Sequence, residues 1–131
     1  MNNLILIVDD EKEYCNIIVN YLNKRGFECD IAHNAETAKK MLLTGAYSGC
    51  FIDMVLQPTN IAFYANTELS NDGILLADEI GELGIKTRFV MISGGCYDMK
   101  IGKYLNVNKG SIDMDNVEAI ATAMCEKRIA T

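Results

Sequence analysis

Positive charge, histidine, paired cysteines and long apolar runs are all scarce in this chain, and each scarcity closes off a class of function. Lysine and arginine number 12 against 18 aspartates and glutamates, a formal net charge of -6. A polyanion needs a basic face to bind to, so nucleic acid is not an expected partner. The single histidine, His33, has no second His or Cys at ligand spacing and reads as a loop residue rather than a zinc ligand. Five cysteines (Cys15, Cys29, Cys50, Cys96, Cys125) make an odd count with no C-x-x-C pair. They read as small buried apolar residues in a reducing cytoplasm. The first apolar run is five residues long, follows no basic leader and stops at two aspartates. A signal peptide or membrane span is therefore not expected, and the protein is expected to be cytoplasmic.

The 131 residues, half of them hydrophobic, suit one globular domain spanning 1–131, with no room for an appended DNA-binding domain. Along the chain, short apolar runs alternate with longer helical patterns. Leu4-Ile5-Leu6-Ile7-Val8 has the continuous apolar character of a strand buried on both faces. Residues 11–25 read as a helix, with Tyr14, Ile17, Ile18, Tyr21 and Leu22 on one face and Gly26 as its stop. A second strand over 27–32 and a second helix over 35–43 follow. Cys50-Phe51-Ile52 is a third strand ending in Asp53, and 57–71 reads as a long loop containing Pro58 and the apolar cluster Ile61-Ala62-Phe63-Tyr64. Asp72-Gly73 opens a helix to about Leu83, and 87–92 is a fourth strand broken at Ser93-Gly94-Gly95. The segment 97–105 reads as a short, irregular fourth helix, and 106–108 as a brief fifth strand before Lys109-Gly110. A last helix covers 114–128, with Asp113 as its N-cap. This alternation predicts an α/β fold: a doubly wound, five-stranded parallel sheet with helices on both faces. In such folds the functional crevice lies outside the carboxyl ends of the strands.

Four of the expected strands end in groups that suit a single site: Asp9-Asp10, Asp53, Ser93 and Lys109. Either aspartate of the first pair also suits a helix N-cap. Three carboxylates brought together repel one another and call for a cation, and a hard divalent ion such as Mg²⁺ takes oxygen ligands of this type. A hydroxyl and an ammonium beside them complete a receptacle for phosphoryl oxygens. The implied chemistry is phosphoryl transfer to a carboxylate, achieved by in-line positioning and charge neutralisation.

The run LILIVDDE, the strand-end aspartate of FIDMVL, the strand-end MISGG and the position of Lys109 resemble the receiver domains of two-component response regulators, over nearly the whole chain and in order. The resemblance implies a flavodoxin-like receiver fold in a stand-alone protein. It makes Asp53 the phosphoacceptor, with Mg²⁺ held by Asp9, Asp10, Asp53 and the backbone carbonyl of Val55. Ser93 would hydrogen-bond a phosphoryl oxygen and Lys109 would pair with the phosphoryl group. The implied partners are a sensor histidine kinase or phosphotransfer protein and a downstream protein that reads the change. No conventional enzyme activity is expected beyond self-catalysed phosphorylation and dephosphorylation, and Val55 and Gly95 offer no side chain to position an attacking water. Departures from the pattern are the long interval before Ser93, the short one between Ser93 and Lys109, Gly110 in place of the usual proline, and Asn106 where a switch aromatic often stands.

A receiver-like fold that binds a partner without being phosphorylated is the alternative. Two enzyme classes of similar topology fit poorly. A haloacid-dehalogenase-type phosphatase wants an aspartate at position 55, which is Val55. A dinucleotide binder wants a glycine-rich loop after the first strand, where Asp9-Asp10-Glu11 stands instead.

Overall fold

The computed structural model describes residues 3–53, 72–93, 100–101, 104–108 and 114–125. In chain order the elements are β1 (Leu4–Val8), α1 (Lys12–Asn23), β2 (Glu28–Ala32), α2 (Ala35–Leu42), β3 (Gly49–Asp53), α3 (Asp72–Glu82), β4 (Arg88–Ser93), β5 (Lys100–Ile101), β6 (Tyr104–Asn108) and α4 (Met114–Cys125). The segment 57–71 and the Asp113 cap lie outside the described residues.

Helix boundaries follow local chemistry. After α1 the backbone turns at Gly26, whose φ of 91° falls in the left-handed region that a side chain disfavours. At the start of α2, the Asn34 side chain accepts from the Thr37 amide at 2.8 Å, satisfying one of the unpaired first-turn N–H groups. Glu36 in the first turn and Lys39 and Lys40 in the last complement the helix dipole.

The strands lie in the order β2-β1-β3-β4-β6-β5. β1, β2, β3, β4 and β6 pair in parallel, and these are the five strands expected from the sequence. The chain runs outward from β1 to β2 and returns past β1 to β3, so the direction of winding reverses between β1 and β3. Side-chain alternation divides the core between the two faces. Leu6, Val8, Cys50, Ile52 and Met91 pack with Ala38 and Leu42 of α2 and Leu76, Ala77 and Ile80 of α3. Ile5, Ile7, Phe51, Val90 and Ile92 pack on the other face with Cys15, Ile18 and Leu22 of α1 and Val117, Ala121 and Met124 of α4. β1 and β3 are covered on both sides, which is why their sequences are apolar without alternation.

One element departs from the sequence reading. In place of a short helix over 97–105, Lys100 and Ile101 form β5, antiparallel to β6 through Lys100↔Leu105 and Ile101↔Tyr104, and β6 begins at Tyr104. A one- or two-turn helix is marginal on its own, whereas the outer edge of β6 carries backbone groups that need partners. β6 is also tied to α3, because the Tyr104 hydroxyl donates to Asp78 Oδ1 at 2.5 Å. Burial first, then the hydrogen bond and the charge of Asp78, hold the Tyr104 phenol above its ordinary value. A raised pKa stabilises the folded state below the unfolded value of about 10, and that stabilisation is lost as pH rises further.

Two outcomes are expected. A Cβ at Gly49 would run into Met124 Sδ and stand 2.8 Å from that side chain's Cβ and Cγ. Gly49→Ala should therefore cost about 1–3 kcal/mol in denaturant unfolding, and adding Met124→Ala should give less than the sum of the two single losses. Tyr104→Phe should lose less stability between neutral pH and pH values above about 10 than the wild type does, as followed by urea unfolding.

Candidate metal centre

Two neighbouring parallel strands bring the acidic residues together. Val8 of β1 lies in register with Ile52 of β3, so Asp9 and Asp53 come next on adjacent strands at the carboxyl edge of the sheet. Asp10 follows Asp9. One carboxylate oxygen from each of Asp9, Asp10 and Asp53 falls within a group whose members all lie within 4.8 Å of one another. Asp9 is fully buried, Asp53 nearly so, and Asp10 is half-buried.

Neighbouring elements fix Asp9 in place. Its amide donates to the Ala32 carbonyl at the end of β2 at 3.1 Å. Its Oδ1 accepts from the Glu11 amide at 2.9 Å, so this carboxylate also steers the entry into α1, as a helix-start residue would. Its carbonyl oxygen is met by the Cys15 thiol at 3.5 Å and by His33 Nδ1 at 2.9 Å. β4 ends at Ser93, one row beyond Ile92, which is the partner of Asp53; Ser93 itself is in register with Asn108, the last residue of β6. Lys109 is the next residue in the chain. Lys109 and Val55 lie outside the described residues, as does the Ser93 side chain.

Three like charges at this spacing are costly. At an effective dielectric of 20, each pair of full charges about 5 Å apart repels by roughly 3 kcal/mol. Among the described residues the donors that converge here are carboxylate oxygens, and this hard donor set fits Mg²⁺ or another hard divalent cation better than a thiophilic metal. The residues thus match the ion that the receiver resemblance implies.

His33 escaped the sequence reading as a loop residue because no ligand-type spacing marks it. The available signal was its position directly after β2, whose end lies beside the end of β1.

A doubly wound α/β sheet with helices on both faces and an acidic cluster beside its winding reversal defines the class: the flavodoxin-like fold of the receiver type. Solved structures agree. The chain is similar to a CheY-like response regulator receiver domain from Methylobacillus flagellatus, at 21% identity over 95% of this chain and 99% of that one, with a TM-score of 0.71. It is similar to a two-component response regulator from Clostridium difficile at 21% identity over 98% of both chains, with a TM-score of 0.73. The response regulator protein TrrA, solved in complex with the histidine kinase ThkA, matches at 21% identity over 96% of this chain and 100% of that chain, with a TM-score of 0.71. No protein-family model and no curated protein matches the sequence. The chain has the receiver-domain fold. No helix among the described residues is long and apolar enough to cross a membrane.

Removing one carboxylate should relieve the repulsion. Asp10→Asn is expected to raise the melting temperature of the metal-free protein by about 4 °C or more, the equivalent of at least about 1 kcal/mol. The further rise that Mg²⁺ produces in the wild type should shrink in the variant, and differential scanning calorimetry with and without the ion reads both.

Proposed function

We propose that the chain is a response-regulator receiver domain, a switch that accepts a phosphoryl group on Asp53 in a Mg²⁺-dependent reaction. The observation that carries this reading is the convergence of Asp9, Asp10 and Asp53 within 4.8 Å at the ends of β1 and β3 of a receiver fold. Asp9, Asp10 and Asp53, with the Val55 carbonyl, would hold Mg²⁺. When bound, the ion supplies charge neutralisation for the carboxylates and the incoming phosphoryl oxygens. A carboxylate oxygen of Asp53 forms the new O–P bond in line with the bond that breaks. With a phosphohistidine donor that is the P–N bond, and the imidazole leaves with the electron pair and takes up a proton; the product is an acyl phosphate. Ser93 donates to a phosphoryl oxygen and Lys109 pairs with the group's charge.

The donor is a sensor histidine kinase or a phosphotransfer protein, and a downstream protein reads the modified face. The receiver fold and the similarity to a regulator solved with a kinase support this partner class. The chain acts in the cytoplasm and binds no nucleic acid, in keeping with its acidic balance. It is not a conventional enzyme, since its only chemistry is on itself. The response travels through 94–108 or 57–71, because Asn106, almost fully buried in β6, replaces the usual aromatic. Val55 and Gly95 position no attacking water, so the phosphoryl group is long-lived.

Intact mass after incubation with acetyl phosphate and Mg²⁺ tests the reading. One phosphoryl adduct is expected in the wild type and none in Asp53→Asn. No adduct in the wild type would leave a receiver-like module that binds its partner without phosphorylation.

A further inference from the structure

The Asp9–Asp10 peptide is the hinge of the acidic cluster. The carbonyl of Asp9 and the amide of Asp10 belong to one rigid planar unit, so holding the Asp9 oxygen sets ψ of Asp9 and φ of Asp10 together. Those two angles decide where the Asp10 carboxylate stands relative to that of Asp9. Repulsion among three carboxylates favours rotating this plate to spread them.

The oxygen is held from β2. His33 Nδ1 lies 2.9 Å from it in a part-buried contact. A carbonyl oxygen only accepts, so Nδ1 carries the proton. The neighbouring Ala32 carbonyl accepts from the Asp9 amide at 3.1 Å, so residues 32 and 33 hold Asp9 on both sides of its Cα. The Cys15 thiol, at 3.5 Å from the same oxygen, is the weaker second donor. His33 itself is not in the group of residues that present ligand atoms to one another. Its contact is to backbone.

We propose that His33 is a positioning residue for the metal site: its Nδ1–H clamps the Asp9–Asp10 peptide so that both carboxylates remain turned toward Asp53. This rests on the reading of the cluster as a Mg²⁺ site. Outer partners that orient ligands act on affinity without touching the ion.

As the chain's single histidine, His33 gives an imidazole ¹⁵N spectrum that needs no assignment. In the metal-free wild type at mildly alkaline pH, the Nδ1–H tautomer is expected, and the Nε2–H tautomer would overturn the clamp. Isothermal titration with Mg²⁺ then compares the wild type with His33→Ala and His33→Asn, the latter keeping a side-chain N–H near the Nδ1 position. His33→Ala should bind about tenfold more weakly and His33→Asn should recover to within about threefold of the wild type. Unchanged affinity in His33→Ala, or equal losses in both variants, overturns the proposal. A wild type that takes up no Mg²⁺ overturns the metal reading and removes the clamp's purpose with it, a failure that the tautomer, read without metal, distinguishes from a missing contact.

Discussion

Three carboxylates cannot sit within 4.8 Å of one another unless the backbone carrying them resists their repulsion. That requirement falls on β1 and β3, the central pair on either side of the winding reversal. Both strands are buried on both faces, and the register Val8↔Ile52 leaves Asp9 and Asp53 emerging side by side. Moving Asp9 away from Asp53 would mean slipping a strand whose side chains Ile5, Leu6, Ile7 and Val8 are all fully buried. A slip of one residue would exchange the two faces of the core. The hydrophobic interior therefore holds the acidic edge in a geometry that its charges alone would reject.

The two halves of the core are filled differently. Between β3 and α4 the approach is close enough that position 49 has no room for a side chain against Met124. On the opposite face, contacts between elements also have polar members. Lys39 of α2 reaches Glu79 of α3 at 2.5 Å, and Tyr104 of β6 reaches Asp78 of α3. The Lys39–Glu79 pair is nearly half exposed and contributes little to stability, while Tyr104 is partly withdrawn from solvent and fixes where α3 meets β6. This places the far edge of the sheet, with Asn106 buried inside it, in mechanical contact with α3.

That far edge is also where this chain departs most from the pattern its sequence suggests. The interval between Ser93 and Lys109 is short, and within it β5 adds two residues to the sheet's edge. Asn106 points inward, on the same face as Met91 and Tyr104, and is almost fully buried.

Much of this was legible in the residues themselves. The run Leu4–Val8 announced a doubly buried strand because it has no polar alternation, and the aspartates at 9, 10 and 53 stood out because they end apolar runs, at the carboxyl edge of the sheet where such folds place their functional crevice. Helix α1 was readable from the spacing of Tyr14, Ile18 and Leu22 and from Gly26. Local chemistry governs features of that kind. What only the tertiary structure decided are the long-range pairings: that 100–101 pairs as a strand, that Gly49 lies under Met124, and that His33 meets the Asp9 carbonyl across 24 residues of sequence. A β-strand of two residues has no periodicity to detect, and a hydrogen bond to a backbone carbonyl leaves no signature in the identity of the residue that accepts it. Those features exist because the strand order sets β2 beside β1 and β5 outside β6 at the sheet's edge, and strand order is a property of the folded chain rather than of any segment within it.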